Sequence, residues 1–266
     1  MRSFLTSAWR AGLRSRSIQA VLVLGVLLVG VAYLSGAFSP RQPKTVALDV
    51  GLSGIRFSLV LFALFWVQEL VSQEIQRRTV LFALTYPVAR GHYMVGRYLG
   101  VLGLLALATL LLGMLLWVVI LNTGTGYEQG FAVAPGGPYW LTIFGLWVDA
   151  AVVAAFALWI ASLSTVGLLP LALGLAFAAA GKSLGAVAEY LAAGAEGDAE
   201  IMRLAPIVDA IQWFLPDLSR LDWRAWPMYG VPPDTLAMAG GGLVAVSYIA
   251  LLVTLAVLAF NRRDFQ

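Results

Sequence analysis

Apolar residues in this chain are gathered into six long blocks separated by polar or glycine- and proline-rich stretches. The blocks cover residues 18–38, 54–71, 98–121, 139–163, 166–184 and 236–260. Most approach the roughly 20 residues that carry a helix across about 30 Å of hydrocarbon. The fifth reaches that length by continuing through Leu184 and Val187. The pattern predicts an all-α, polytopic membrane protein with six transmembrane helices and no second domain. A tight turn at Ser162-Leu163-Ser164-Thr165 is expected between the fourth and fifth spans, and residues 40–53 read as a polar link.

Ahead of the first block, residues 1–17 are basic, with Arg2, Arg10, Arg14 and Arg16, while Phe4, Leu5, Ala8, Trp9 and Leu13 fall near helical spacing. That combination predicts an interfacial helix lying on a membrane surface. A cleaved signal peptide is the competing reading, with Ser35-Gly36-Ala37 as a small-residue stretch. The length of the apolar run and of its basic lead favours a span. Composition agrees: 61% of the 266 residues are hydrophobic and 12% charged, about half the charged share of a soluble domain. There is no cysteine and one histidine, His92, which removes disulfides, thiolate nucleophiles and histidine–cysteine metal sites.

Charge placement sets orientation. An even number of crossings puts both termini on one side. With the loop between spans two and three, that side holds Arg2, Arg10, Arg14, Arg16, Arg77, Arg78, Arg90, Arg97, Arg262 and Arg263. The opposite loops are longer and more acidic. Residues 182–235 alone carry Glu189, Glu196, Asp198, Glu200, Asp209, Asp217, Asp222 and Asp234. By the positive-inside rule both termini are cytoplasmic, as expected for the inner membrane of a bacterium.

The loop between spans two and three is charged in its first half, from Gln68 to Arg78, and apolar in its second, ending at Pro87 and Gly91. A short amphipathic helix at the cytoplasmic surface suits this pattern, as does an ordinary solvated loop. Beyond it, Gly96, Gly100 and Gly103 have the small-residue spacing that lets helices approach closely. The ordered set Glu74-Ile75-Gln76-Arg77-Arg78-Thr79, then Tyr86-Pro87-Val88-Ala89-Arg90, then Val95-Gly96-Arg97-Tyr98-Leu99-Gly100 resembles the signature of type-2 ATP-binding-cassette permeases. The six spans, the amphipathic amino terminus and the long loop before the last span match that family's layout. Gln76 departs from it, since an acid is common there. Within the family, Thr85-Tyr86-Pro87 followed by Arg90-Gly91 is most similar to permeases linked to maturation of copper-containing nitrous oxide reductase.

The resemblance implies that residues 73–87 are a coupling helix. Glu74, Ile75, Arg77, Arg78, Thr79, Pro87 and Arg90 would engage a separate ATPase, two copies of which would drive a permease dimer of two such chains, an exporter by family habit. ATP and magnesium would be bound by that partner, and this chain itself has no GxxxxGK[ST] sequence. A periplasmic accessory protein is a further expected partner, and nucleic acid is not. The resemblance also implies that part of the segment before the last span, here 206–226, dips back into the membrane as an outer gate. Pro206, Trp213, Phe214 and Pro216 are its candidate residues.

Polar groups inside spans are costly and informative. Asp149, near the middle of the fourth span, either lines the translocation path or makes a structural hydrogen bond to Asn122, Gln68 or a serine. Gln68 and Glu69 either belong to the same path or cap the second span. Arg56 is expected to snorkel to headgroups. Lys182 and Glu189, seven apart, either pair or mark the end of the hydrocarbon. Trp213, Trp223, Trp226 and Tyr229 read as interfacial anchors. Two other classes of function remain: a membrane scaffold, and an intramembrane enzyme, for which the paired catalytic constellation is missing.

Overall fold

The computed structural model describes residues 15–76, 90–124, 133–192, 206, 210–211 and 215–262, and most of these are helical with no strand among them. Six helices are long and apolar enough to cross a membrane. Helix α1 spans Arg16–Ala37 and is capped by Ser15, whose hydroxyl oxygen accepts from the Ile18 amide at 3.4 Å. Helix α2 spans Pro43–Val67, continues through one wide π-type turn at Gln68–Ser72, and ends in the short α3, Gln73–Gln76. Helix α4 covers Arg90–Asn122, α5 Gly137–Leu163 and α6 Leu169–Ala192. A 3-10 turn at Leu218–Leu221 and a short helix α7, Ala225–Tyr229, precede α8, Thr235–Asn261. Asp234 caps α8 by accepting from the Leu236 amide.

Two helix starts differ from the sequence expectation. Residues 43–53 are the first turns of α2 instead of a polar link. Pro43 sits at the opening position, where a missing N–H costs nothing. Thr45, Ala47, Leu48, Gly51 and Leu52 are buried against neighbouring helices. Lys44 and Asp49 masked that stripe in the sequence. Helix α4 likewise begins at Arg90, ahead of the expected Tyr98, and α6 runs on to Ala192. The turn between α5 and α6 forms at Ser164, whose hydroxyl accepts from the Val166 amide at 3.0 Å.

Helices α2 and α5 form the centre of the bundle, each with two-thirds of its most apolar stretch buried. Helix α1 packs along α2 and α4, α8 packs along α5 and α4, and α6 packs on α5 and α2. The chain crosses back and forth, so one end of the bundle gathers Arg16, Gln76, Arg90, Leu163, Leu169 and Asn261. The other gathers Ala37, Pro43, Asn122, Gly137, Ala192 and Thr235. We call these the terminal end and the loop end. Aromatic polar tips inside the bundle find backbone partners, as a low-dielectric interior demands. Tyr98 donates to the Ala151 carbonyl at 3.0 Å, and Trp147 to that of Leu102 at 3.3 Å.

Close approach is made where side chains are missing. On α6, Gly174 meets Leu64, Gly181 meets Leu218 and Gly185 meets Ser219, so a glycine track faces α2 and the 3-10 turn. On α5, a methyl group at Gly145 would stand 2.5 Å from the Leu221 carbonyl oxygen and 3.2 Å from the Trp223 ring. Gly145 lies eight residues into α5, about 12 Å along its axis, so residues 218–223 reach well into the bundle from the loop end. Gly145→Val is expected to cost about 1–3 kcal/mol through overpacking, seen as a lower midpoint of thermal unfolding in detergent. An unchanged midpoint would show that the segment does not sit on Gly145.

Candidate functional site: a buried ionic network under the loop-end segment

Helix α2 places Asp49, Ser53 and Arg56 at positions i, i+4 and i+7, hence on one face. Helix α5 brings Asp149 to the same level. The segment before α8 brings Leu218, Asp222 and Arg224. Arg56 is the hub: its Nε lies 2.7 Å from Asp149 Oδ2 and one terminal nitrogen donates to Asp222 Oδ2 at 2.7 Å. The other terminal nitrogen donates to the Leu218 carbonyl at 3.3 Å. The planar guanidinium thereby holds three elements at once, a task its fixed fork of donors suits. Arg56 and Asp149 side chains are 6% and 3% exposed, so neither charge is left to water.

The network continues outward. Arg224 donates through Nε to Asp222 Oδ1 at 2.8 Å, and through a terminal nitrogen to Asp49 Oδ1 and Ser53 Oγ, both at 2.9 Å. Burial alone would raise the Asp222 carboxyl. The hydrogen bond and charge of Arg224, then the charge of Arg56, outweigh it and hold Asp222 below the usual carboxylate range. Burial likewise works against the Arg224 charge, and its pairing with Asp222 and Asp49 more than offsets this, keeping it a fixed cation. A cavity of about 230 Å³ opens beside the hub, lined by Ser53, Arg56, Phe57, Val60, Asp149, Leu175, Ala178, Ala179 and Lys182.

The expected snorkelling of Arg56 is therefore overturned: the guanidinium turns inward because Asp149 and Asp222 supply a better set of acceptors than headgroups. Asp149 does pair with a neighbouring helix, but through Arg56 and not through Asn122, which donates back to Val118 of its own helix. Gln68 sits in the wide turn, its side-chain oxygen buried without a partner, and Glu69 follows it half-buried. Trp223 is buried on Gly145 and donates to the Arg220 carbonyl at 2.9 Å, so it is a packing residue and not an interfacial anchor. Pro216 precedes the 3-10 turn, with its carbonyl against Gly181, and Pro206 is helical. Trp213 and Phe214 lie outside the described residues.

At the terminal end a second cluster forms. Glu74 accepts from the Tyr93 hydroxyl at 2.6 Å and is ion-paired with Arg97, tying α3 to α4. Tyr93 stacks on Phe260 of α8 at 5.6 Å between ring centres. Arg77, Arg78, Thr79 and Pro87 lie outside the described residues, as do the side chains of Ile75 and Arg90. Gly96 and Gly100 are buried on α4, and Gly103 is half-buried.

Sequence reasoning missed Asp49, Ser53, Asp222 and Arg224 as partners. The available signal was complementarity: a spanning arginine and a spanning aspartate, each untenable alone in hydrocarbon, require each other. Among the described residues no group of His, Cys, Asp and Glu side chains is placed to hold a metal ion.

These features describe a multi-pass helical membrane protein with a loop-end segment clamped against its helices by buried charges. No known family model matches the chain. A stretch of 106 residues is 37% identical to a protein of Pseudomonas aeruginosa named probable ABC transporter permease protein NosY, and 35% identical to a protein of that name from Stutzerimonas stutzeri. Each match covers 38% of this chain and 38% of the relative, so the chain spans under two-fifths of the length of the curated relatives it matches. Both relatives fall in the group that the resemblance at residues 74–100 indicates.

Removing one partner of a buried ion pair leaves an uncompensated charge and costs about 3–5 kcal/mol. Arg56→Met is therefore expected to destabilise the solubilised protein strongly, whereas Arg56→Met combined with Asp149→Leu recovers part of the loss. Asp149→Asn is milder, since Arg56 keeps Asp222. Thermal unfolding of these variants and of Asp149→Leu alone checks this; a double variant as damaged as the sum of Arg56→Met and Asp149→Leu would show that the two side chains are not paired.

Proposed function

We propose that this chain is the membrane subunit of an ATP-driven transporter of the ATP-binding-cassette type. The observation that carries the reading is the likeness over 106 residues to two proteins named as permeases of that class. The six-helix bundle and the order of motifs from Glu74 to Gly100 support it. In this reading the terminal end faces the cytoplasm of a bacterial inner membrane, in line with its excess of arginine. Residues 74–90 contact a separate ATPase, which holds ATP and magnesium. Two chains pair with two ATPases, and export is the direction.

The geometry suggests how a push at one end reaches the other. Helix α2 with its extension is one rod from Pro43 to Gln76. Glu74 fixes its terminal end to α4, and 18 residues back, about 27 Å along the rod, Arg56 grips the loop-end segment. Displacement of residues 74–90 would tilt that rod and pull on Asp222 and Leu218. The wide turn at Gln68–Ser72 interrupts the regular ladder between the two points. Such turns lie often at functional positions and alter the helix course. In this scheme Asp149 is a clamp on the path wall more than a group the cargo must strip of its partner.

Co-purification tests the assembly: the chain should bring down an ATPase in a two-to-two complex, and a scaffold or enzyme should not. Replacing Arg77 and Arg78 with glutamate is expected to leave insertion intact and to abolish cargo-stimulated ATP hydrolysis in the reconstituted complex. Stimulation equal to the unaltered chain would remove these residues from the coupling step.

A further inference from the structure

The rod from Pro43 to Gln76 carries one residue more than a regular helix needs. At Gln68–Ser72 the ladder widens, and the Gln73 amide reaches back five residues to the Gln68 carbonyl instead of four. Buried polar atoms without a hydrogen-bond partner are rare in folded chains. Among the described residues six such side-chain atoms occur, and five of them belong to Trp66, Gln68, Ser72 and Arg97. Gln68 and Ser72 are the two ends of the wide turn, Trp66 stands just ahead of it, and Arg97 holds Glu74 just beyond it.

Ser72 shows what the extra residue does. In the regular helices Ser58, Thr109, Thr142, Ser183 and Thr254 each donate to the carbonyl four residues before them, at 2.7–2.9 Å. Ser72 is buried and makes no such bond. Its acceptor would be the Gln68 carbonyl, which the wide turn carries past Ser72 to the Gln73 amide. A regular ladder would put that carbonyl back within reach of the Ser72 hydroxyl.

We propose that Gln68–Ser72 is a two-register switch, in which the extra residue can be handed on toward the terminal end of the rod. Residues 69–76 then turn about 100° around the rod axis and draw about 1.5 Å toward the loop end, each taking roughly the place of the residue before it. Val71 replaces Leu70, so an apolar side chain still faces the core, where both are buried in the present register. Ser72 gains the Gln68 carbonyl, and Glu74 leaves Arg97. The ion pair of Glu74 thus holds the present register, and the unpartnered hydroxyl opposes it. The switch deepens the coupling reading above and rests on it only for what would drive the change; the two registers belong to the chain alone.

The chain has no cysteine, so spin labels on Gln76→Cys and Leu110→Cys report the distance from the rod's terminal end to α4, in nanodiscs and with no ATPase present. The present register should dominate in the otherwise unaltered chain. Glu74→Gln should raise the fraction at a second, discrete distance about tenfold, and adding Ser72→Ala should lower it again, because the bond gained in the second register is gone. Deletion of Glu69 removes the extra residue and lets Ser72 reach the Val67 carbonyl. Combined with Glu74→Gln it should leave the first distance alone. A second distance that survives the deletion would show fraying of the rod's end, and a single unchanged distance in Glu74→Gln would show a fixed turn; either result overturns the switch. Should the deletion variant not insert, the Ser72→Ala comparison decides, and an undiminished second distance there is equally fatal. Absence of an ATPase on co-purification would overturn the coupling reading and leave these distances as they are.

Discussion

A guanidinium inside a helix bundle must be met on every side, and this structure is arranged around meeting that of Arg56. A lone charge at this depth costs several kcal/mol even by the most lenient scales. Its compensation cannot come from one neighbour, because the donors point three ways. The cost is met by a carboxylate from α5, a carboxylate from the loop-end segment and a backbone carbonyl from the 3-10 turn. Once those acceptors are in place, the relative positions of α2, α5 and residues 218–224 are fixed together. Such networks add little net stability over apolar packing, and what they specify is geometry. Here the specified geometry is the insertion of a polar, proline-bounded segment among apolar helices, which hydrophobic burial alone would not favour.

The packing around the hub serves the same end. Gly145 clears the space for the Leu221 carbonyl and the Trp223 ring. The Thr142 hydroxyl lies 3.2 Å from the Trp223 carbonyl oxygen, so the backbone that leaves the regular helices is not stranded without partners. At the opposite end Glu74 performs a smaller version of the clamp, linking the extension of α2 to Arg97 and Tyr93 of α4. The rod between the clamps joins the two ends of the bundle within one element, which gives the transport reading its physical route.

The six spans were legible because lipid demands long apolar runs, and a run such as residues 98–121 has no other stable fate. Helix beginnings were less legible. Residues 43–53 carry Lys44, Asp49 and Gly51, and only the tertiary contact with α1 shows that Ala47, Leu48 and Leu52 form a buried stripe. Asp149 stood out as a costly residue, yet its partner did not. Arg56 was assigned to headgroups because sequence separation hides the acceptors: Asp222 is 166 positions away. The expectation of a coupling helix rests on family likeness alone, since its charges fit any cytoplasmic loop. The arginines at 77 and 78 lie outside the described residues.

Helix α6 meets α2 and the 3-10 turn at Gly174, Gly181 and Gly185, and meets α5 through Phe177, which stacks on Phe156 at 4.1 Å between ring centres. At those glycines a bare backbone presents no knob for a facing side chain to climb over, so sliding along that face meets a flatter barrier than the interdigitated faces of α2 and α5 impose. Shear between packed helices proceeds by such small slides. Helix α6 contributes no group to the clamp around Arg56, so the wall it forms is the part of the recess that can shift while the ionic contacts stay shut.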